Sequence, residues 1–166
     1  GGIVYEHSHR LAASVVGLLT LALTLRLLFR EPRRWVRRLG LVAFALVALQ
    51  GILGGLTVLW LLPAPVSIAH AVLGQTFFAV LVVLAVALSS GWKRLSAGGP
   101  KSDAGDRSLS LPTIAAIYAQ LILGAALRHT GWHGPLITAH LLGALVASLL
   151  IVKMASRHLL WLLAAQ

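Results

Sequence analysis

The chain has 166 residues, 58% of them hydrophobic and 11% charged, with 14 Lys and Arg against 4 Asp and Glu. Soluble domains run nearer ~25% charged, so a mean hydropathy of +0.90 excludes an ordinary soluble domain. Zero cysteines exclude disulfides, thiolate haem ligands and iron–sulfur clusters within this sequence.

In chain order, Tyr5-Glu6-His7-Ser8-His9-Arg10 leads into the apolar run Leu11–Phe29. Arg30, Arg33, Arg34, Arg37 and Arg38 follow, then Leu39–Leu62, a short connection at Leu61–Pro65, and Val66–Ser89. Lys93 and Arg94 open a stretch, Ser96–Ser110, rich in Gly, Ser, Asp and Lys that reads as a flexible cytoplasmic linker. Beyond it come Leu111–Leu127, the loop Arg128–Gly134, Pro135–Met154, and a last run, Leu159–Gln166. The complete runs approach or exceed the ~20 residues that cross a bilayer. The predicted fold class is therefore all-α, a polytopic transmembrane helix bundle. Residues 1–95 are read as three spans of one bundle. Residues 96–110 are the linker, and residues 111–166 hold two spans and the start of a third. With Gly1-Gly2 at its start and no initiator Met, the sequence is expected to be a piece of a longer polypeptide. No signal peptide is visible in it.

Net charge +10 could suggest nucleic acid, but the distribution argues against it. Basic residues gather after the first, third and fifth runs, whereas Leu61–Pro65 and Arg128–Gly134 hold a single Arg between them. Such alternation places the basic loops in the cytoplasm and the amino terminus outside. All histidines except His158 then fall on the outer side: His7, His9, His70, His129, His133 and His140. The expected location is a bacterial cytoplasmic membrane, with the histidine cluster near its outer face.

The sequence also repeats across the linker. Gln50-Gly51-Ile52-Leu53-Gly54 aligns with Gln120-Leu121-Ile122-Leu123-Gly124, Pro65 with Pro135, and Ala69-His70 with Ala139-His140, all at one offset of 70 residues. A duplicated helix hairpin explains the three pairs together, and such repeats place bound groups at their interfaces. Gly51 and Gly55 form a Gly-x-x-x-Gly pair, expected to serve helix–helix contact, with close approach to a flat cofactor as the alternative. Gln50 and Gln120 lie inside spans, where an interhelical hydrogen bond is the simplest way to satisfy an amide.

Neutral imidazole is the side chain suited to holding haem iron or a transition metal inside a bilayer. His70 and His140 stand at equivalent repeat positions, and His9 is at similar depth. The one His-x-x-x-His spacing, His129 to His133, falls in the loop Arg128–Gly134 rather than within an apolar run. Haem needs one or two axial imidazoles and cations for its propionates, and Arg10 and Arg128 lie at the matching edge. If the first segment is helical there, Glu6 and His9 share a face, since each residue turns ~100°. A carboxylate beside an imidazole can handle protons near a reaction centre. Glu6 as an interfacial residue beside a snorkelling Arg10 is the plainer possibility.

These residues resemble the haem A synthase family, membrane enzymes that oxidise haem O for cytochrome oxidase. Tyr5-Glu6-His7-Ser8-His9-Arg10 matches the family's Glu-x-x-His-Arg signature. Leu49-Gln50-Gly51-Ile52-Leu53-Gly54-Gly55-Leu56-Thr57-Val58, Ala69-His70, Gln120–Gly124 and Arg128-His129-Thr130-Gly131 follow in the family's order. The resemblance implies two pseudo-symmetric four-helix halves, incomplete here, with this sequence running from the second span into the seventh. It implies that His9 and His70 flank the pocket where the substrate haem O reacts. His140 is then one ligand of a haem b in the other half, its partner lying on an eighth span. Glu6 and His9 are the implied catalytic residues; Arg10, Arg128 and His129 are cofactor contacts, His129 through a propionate or a ligand. The implied reaction takes the C8 methyl of haem O through alcohol and gem-diol to the formyl of haem A, with oxygen from water. Implied partners are a quinone or other electron acceptor, the farnesyltransferase that supplies haem O, and cytochrome oxidase assembly factors. The family often has a cysteine pair in its outer loops, which Arg128–Gly134 lacks. Two other functions fit the histidines or the spans: a bis-histidine b-type cytochrome that transfers electrons, and a non-enzymatic membrane subunit or transporter.

Overall fold

A computed structural model describes residues 2–61, 63–92 and 104–164. Within them run five long helices: α1 (Gly2–Arg30), α2 (Arg34–Leu59), α3 (Ala64–Leu88), α4 (Ala104–Thr130) and α5 (Gly134–Ala164). Glu6–Arg30, Arg34–Leu59, Ala64–Leu88, Ser108–Thr130 and Gly134–Ser156 are each long and apolar enough to cross a membrane. The protein is an all-α polytopic membrane bundle. Exposed Leu, Ile, Val and Phe side chains along every span are what a lipid-facing surface requires.

Helix ends extend past the apolar runs. α1 is helical from Gly2, so Glu6, His7, His9 and Arg10 lie on helix rather than in a leading loop. α4 starts at Ala104, inside the stretch read as linker, and takes Pro112 within its length. The rest of that linker, with Pro100 and Lys101, lies outside the described residues, as do Lys93 and Arg94. α5 continues to Ala164 through the place where a further run was expected to begin. The intervening Ala155-Ser156-Arg157-His158 contains neither Gly nor Pro, so polarity changes there without a helix breaker.

The chain divides into two compact units, Gly1–Gly99 and Pro100–Gln166. In the first, α1 packs on α2 and α2 on α3. Its core is Leu27 from α1, Val36 and Ala43 from α2, and Leu84 and Ala87 from α3, all near the arginine-rich end. Gly40 lets α1 come close there, because a Cβ on it would stand 2.8 Å from Leu27 Cδ1. Thr24 Oγ1 uses that approach to donate to the Gly40 carbonyl at 2.9 Å. Arg33 closes the same end. Its Nη1 donates to the Ala87 carbonyl at 2.9 Å, a group in the last turn of α3 that its own helix leaves under-satisfied. Glu31 holds the guanidinium from the other side, with Arg33 Nε donating to Oε1 at 2.6 Å and Nη2 to Oε2 at 3.1 Å. The cation also lies 5.7 Å from the Trp35 ring centre, and Trp35 packs at a tilt on Trp92.

At the opposite end the packing loosens. Along α1 every side chain described between Val4 and Leu19 is exposed, Gly17 being half-buried, whereas Thr20, Thr24 and Leu27 are buried. That open end is where His7, His9 and His70 lie.

The second unit is the hairpin of α4 and α5. Its elements fall where the repeat requires. α2 ends at Leu59 and α3 starts at Ala64, while α4 ends at Thr130 and α5 starts at Gly134. Among the described residues, left-handed backbone occurs in both connections, at Leu61 with φ 55° and Gly131 with φ 98°, again 70 positions apart. A Leu in that conformation costs about 1 kcal/mol that a Gly does not. That cost is tolerated at Leu61 to keep the shape of the turn.

Candidate functional site

The contact face of each hairpin is a short polar stripe. In the first unit Gln50, Gly54 and Thr57 on α2 recur every three or four residues and so share one face. They meet Ser67, His70 and Gly74 of α3, which recur in the same way. Two contacts fix the antiparallel register. A Cβ on Gly54 would stand 3.3 Å from His70 Cε1, and one on Gly74 would stand 3.0 Å from Gln50 Nε2. Gln50 Nε2 donates to the His70 backbone carbonyl at 2.7 Å, the interhelical bond expected of an amide in a span. Gly74 makes room for that amide, so Gln50 pins α2 to α3 at the depth of the imidazole.

The second unit has the same arrangement. A Cβ on Gly124 would stand 3.1 Å from His140 Cε1, and one on Gly143 would overlap the Gln120 amide. Each histidine thus lays its ring against a helix backbone with no side chain between. Each also has a buried Nδ1 without a hydrogen-bond partner among the described residues. The two hairpins differ in their amides, since Gln120 Oε1 is likewise buried without a partner.

Gly51 and Gly55, expected to form the helix contact, meet no neighbour among the described residues. A Cβ on either would meet nothing within 4 Å. Counting ~100° per residue, both lie well round the helix from Gln50, Gly54 and Thr57. The close approach therefore falls at Gly54, the glycine between them.

At the open end of the first unit, His9 on α1 is exposed and His70 on α3 is half-buried. Glu6 is one turn away, its Oε1 3.3 Å from Arg10 Nη1, with both side chains well exposed at 49% and 68%. Arg10, anticipated as a cofactor contact, thus has a carboxylate partner, and Glu6 engages it at i,i+4. Arg128 is exposed and His129 half-buried in the last turn of α4. His133 Nε2 lies 3.0 Å from the Thr130 carbonyl and helps shape the turn. His158 lies among residues whose side chains are outside the description. Among the described residues, no three His, Asp or Glu side chains gather into a metal-binding set. The arrangement offers single imidazoles packed against side-chain-free backbone.

Thr57, Ser67, Gly74 and Gly143 were not singled out from the sequence. At the 70-residue offset they pair with Leu127, Ile137, Ala144 and Leu73, so the repeat carries no signal for them.

A bundle of membrane hairpins, each presenting one glycine-facing histidine, is the class that fold and site define. The profile of the cytochrome oxidase assembly protein family, COX15-CtaA, matches residues 3–132. The chain belongs to that family. No curated protein and no solved structure matches it.

Proposed function

We propose that the chain is a haem A synthase-type oxidoreductase that converts the C8 methyl of haem O to the formyl of haem A. The observation that supports this best is the duplicated pair, His70 on Gly54 and His140 on Gly124, in a chain of the cytochrome oxidase assembly family. An axial imidazole needs a ring held at fixed depth beside a surface that a macrocycle can approach, and both hairpins have those elements. His9 and His70 would hold the substrate haem O in the first unit. His140 would hold a haem b in the second, with Arg128 and His129 near its propionates. Bound haem b would supply the redox-active iron that passes electrons to a quinone or another acceptor. The residues of the chain position and insulate. Gln50 fixes the depth of His70, Gly54 leaves room for its ring against α2, and Glu6 takes up protons or faces developing positive charge.

Two measurements test this reading. The purified parent protein should show the sharp split alpha band of low-spin haem on reduction, and cells expressing it should convert haem O to haem A. A colourless, folded protein sinks the proposal in favour of a non-enzymatic membrane subunit.

The reading also requires the histidine ends to face outward, as the arginine-rich loops imply. A cysteine replacing Arg34 should be protected from an impermeant thiol reagent in intact cells, and one replacing Trp132 should label. The reverse pattern overturns the orientation.

A further inference from the structure

We infer that Ser67 and Thr57 form a binding site for one buried water molecule, one helical turn outward of His70, in the first unit alone. The Ser67 side chain is buried, the residue being 5% exposed, and its Oγ has no hydrogen-bond partner among the described residues. Hydroxyls elsewhere in these helices satisfy themselves by turning back on the preceding turn. Thr20 donates to the Val16 carbonyl, Thr76 to Val72 and Thr113 to Leu109. Ser67 does not, although the Pro63 carbonyl in that position already receives its backbone N–H at 3.0 Å. A buried hydroxyl left dry is costly, and buried polar atoms of this kind are commonly met by an ordered water.

The register supplies the second oxygen. Gly54 faces His70 and Gly74 faces Gln50, so one turn further out Thr57 comes opposite Ser67. Thr57 is buried too, and its Oγ1 donates to the Gly54 carbonyl at 2.7 Å. Having given its proton there, that oxygen keeps lone pairs free to accept from a water that in turn serves Ser67. The carbonyl of Gly54 belongs to the residue against which the His70 ring packs, so the network ends beside the imidazole without bonding to it.

The second unit shows what the hairpin looks like without this feature. Gln50, Gly54 and His70 have counterparts in Gln120, Gly124 and His140, but Thr57 and Ser67 correspond to Leu127 and Ile137. Leu127 is buried at 4% exposure and leaves nothing for a water to bond. Two hairpins alike in their histidine machinery thus differ in one layer, polar in the first and apolar in the second. Resting on the haem A synthase reading, this assigns a held water to the unit whose ligand gains oxygen and a dry wall to the other.

The test uses the purified protein. An experimental structure in lipid nanodiscs at a resolution that shows waters should place one within hydrogen-bond distance of Ser67 Oγ, with none at Ile137. Ser67→Ala should lower Tm by about 2–4 °C, since a lost hydrogen-bonded water is a net loss near the usual size of one such bond. A dry hydroxyl predicts the opposite sign, because alanine would relieve an unmet group and Tm would rise. Density showing Ser67 Oγ dry, or bonded to the Pro63 carbonyl, overturns the inference whatever the Tm does. A water at Ser67 in a protein that leaves haem O unchanged would remove the proposed reaction and keep the site.

Discussion

On the proposed haem A synthase reading, Gly124→Val is expected to strip the second unit of haem while leaving its helices in place. A Cβ at this position would already stand 3.1 Å from His140 Cε1, tighter than ordinary van der Waals contact, and valine adds two methyl groups beyond it. The helix backbone of α4 cannot give way, so the imidazole has to rotate or withdraw. Changes next to a metal ligand typically lower affinity by about 10–100-fold. The expected result is a reduced-minus-oxidised spectrum in which the haem b contribution falls by that order. Gly124→Ala should give an intermediate loss, since only the neighbouring ring needs to shift by a few tenths of an ångström. Gly54→Val should act on the first unit in the same way and spare the haem b of the second. Retention of both haems in Gly124→Val, with normal folding by circular dichroism, would remove His140 as a ligand.

Much of this was legible in the sequence, for identifiable reasons. Span number follows from hydropathy, because a bilayer leaves few options for an apolar run of that length. The repeat was visible because glutamine and histidine are rare in spans and recur, with glycine and proline, at one offset. What stayed hidden depends on rotation about helix axes. Gly51, Gly54 and Gly55 look interchangeable in a row of letters, but only Gly54 lies on the face that meets His70. Gln50 was expected to bond across helices, yet its target, the backbone carbonyl of the very histidine in question, required the register. The closure by Arg33 joins residues 54 positions apart through a backbone acceptor, and carbonyls carry no sequence signal. The start of α4 at Ala104 was missed because Gly and Ser composition suggests a linker, whereas a helix can extend well beyond the membrane when packing or capping supports it.

The same limits bear on Glu6, the residue for which sequence and structure favour different emphases. The signature marks it as part of the chemistry; the coordinates pair it with Arg10 at 3.3 Å on an exposed surface. An exposed i,i+4 pair contributes roughly a few tenths of a kcal/mol, so Glu6→Gln should leave the fold and haem O binding intact. If the carboxylate takes up protons released as the methyl is oxidised, conversion to haem A should slow by ~100-fold, a typical general acid–base contribution. Arg10→Gln separates the two roles, because it breaks the same ion pair while keeping the negative charge of Glu6. Catalysis by the carboxylate predicts a large defect in Glu6→Gln and a small one in Arg10→Gln, whereas a purely structural pair predicts similar, small defects in both. His9→Ala should disturb binding and turnover together, since on the proposed reading it removes a wall of the haem O pocket as well as a ligand. A b-type cytochrome would keep its spectrum and its electron transfer in Glu6→Gln. The ratio of haem O to haem A extracted from cells expressing each variant decides between these outcomes, and an unchanged ratio in Glu6→Gln would reduce Glu6 to an anchor for Arg10 at the membrane edge.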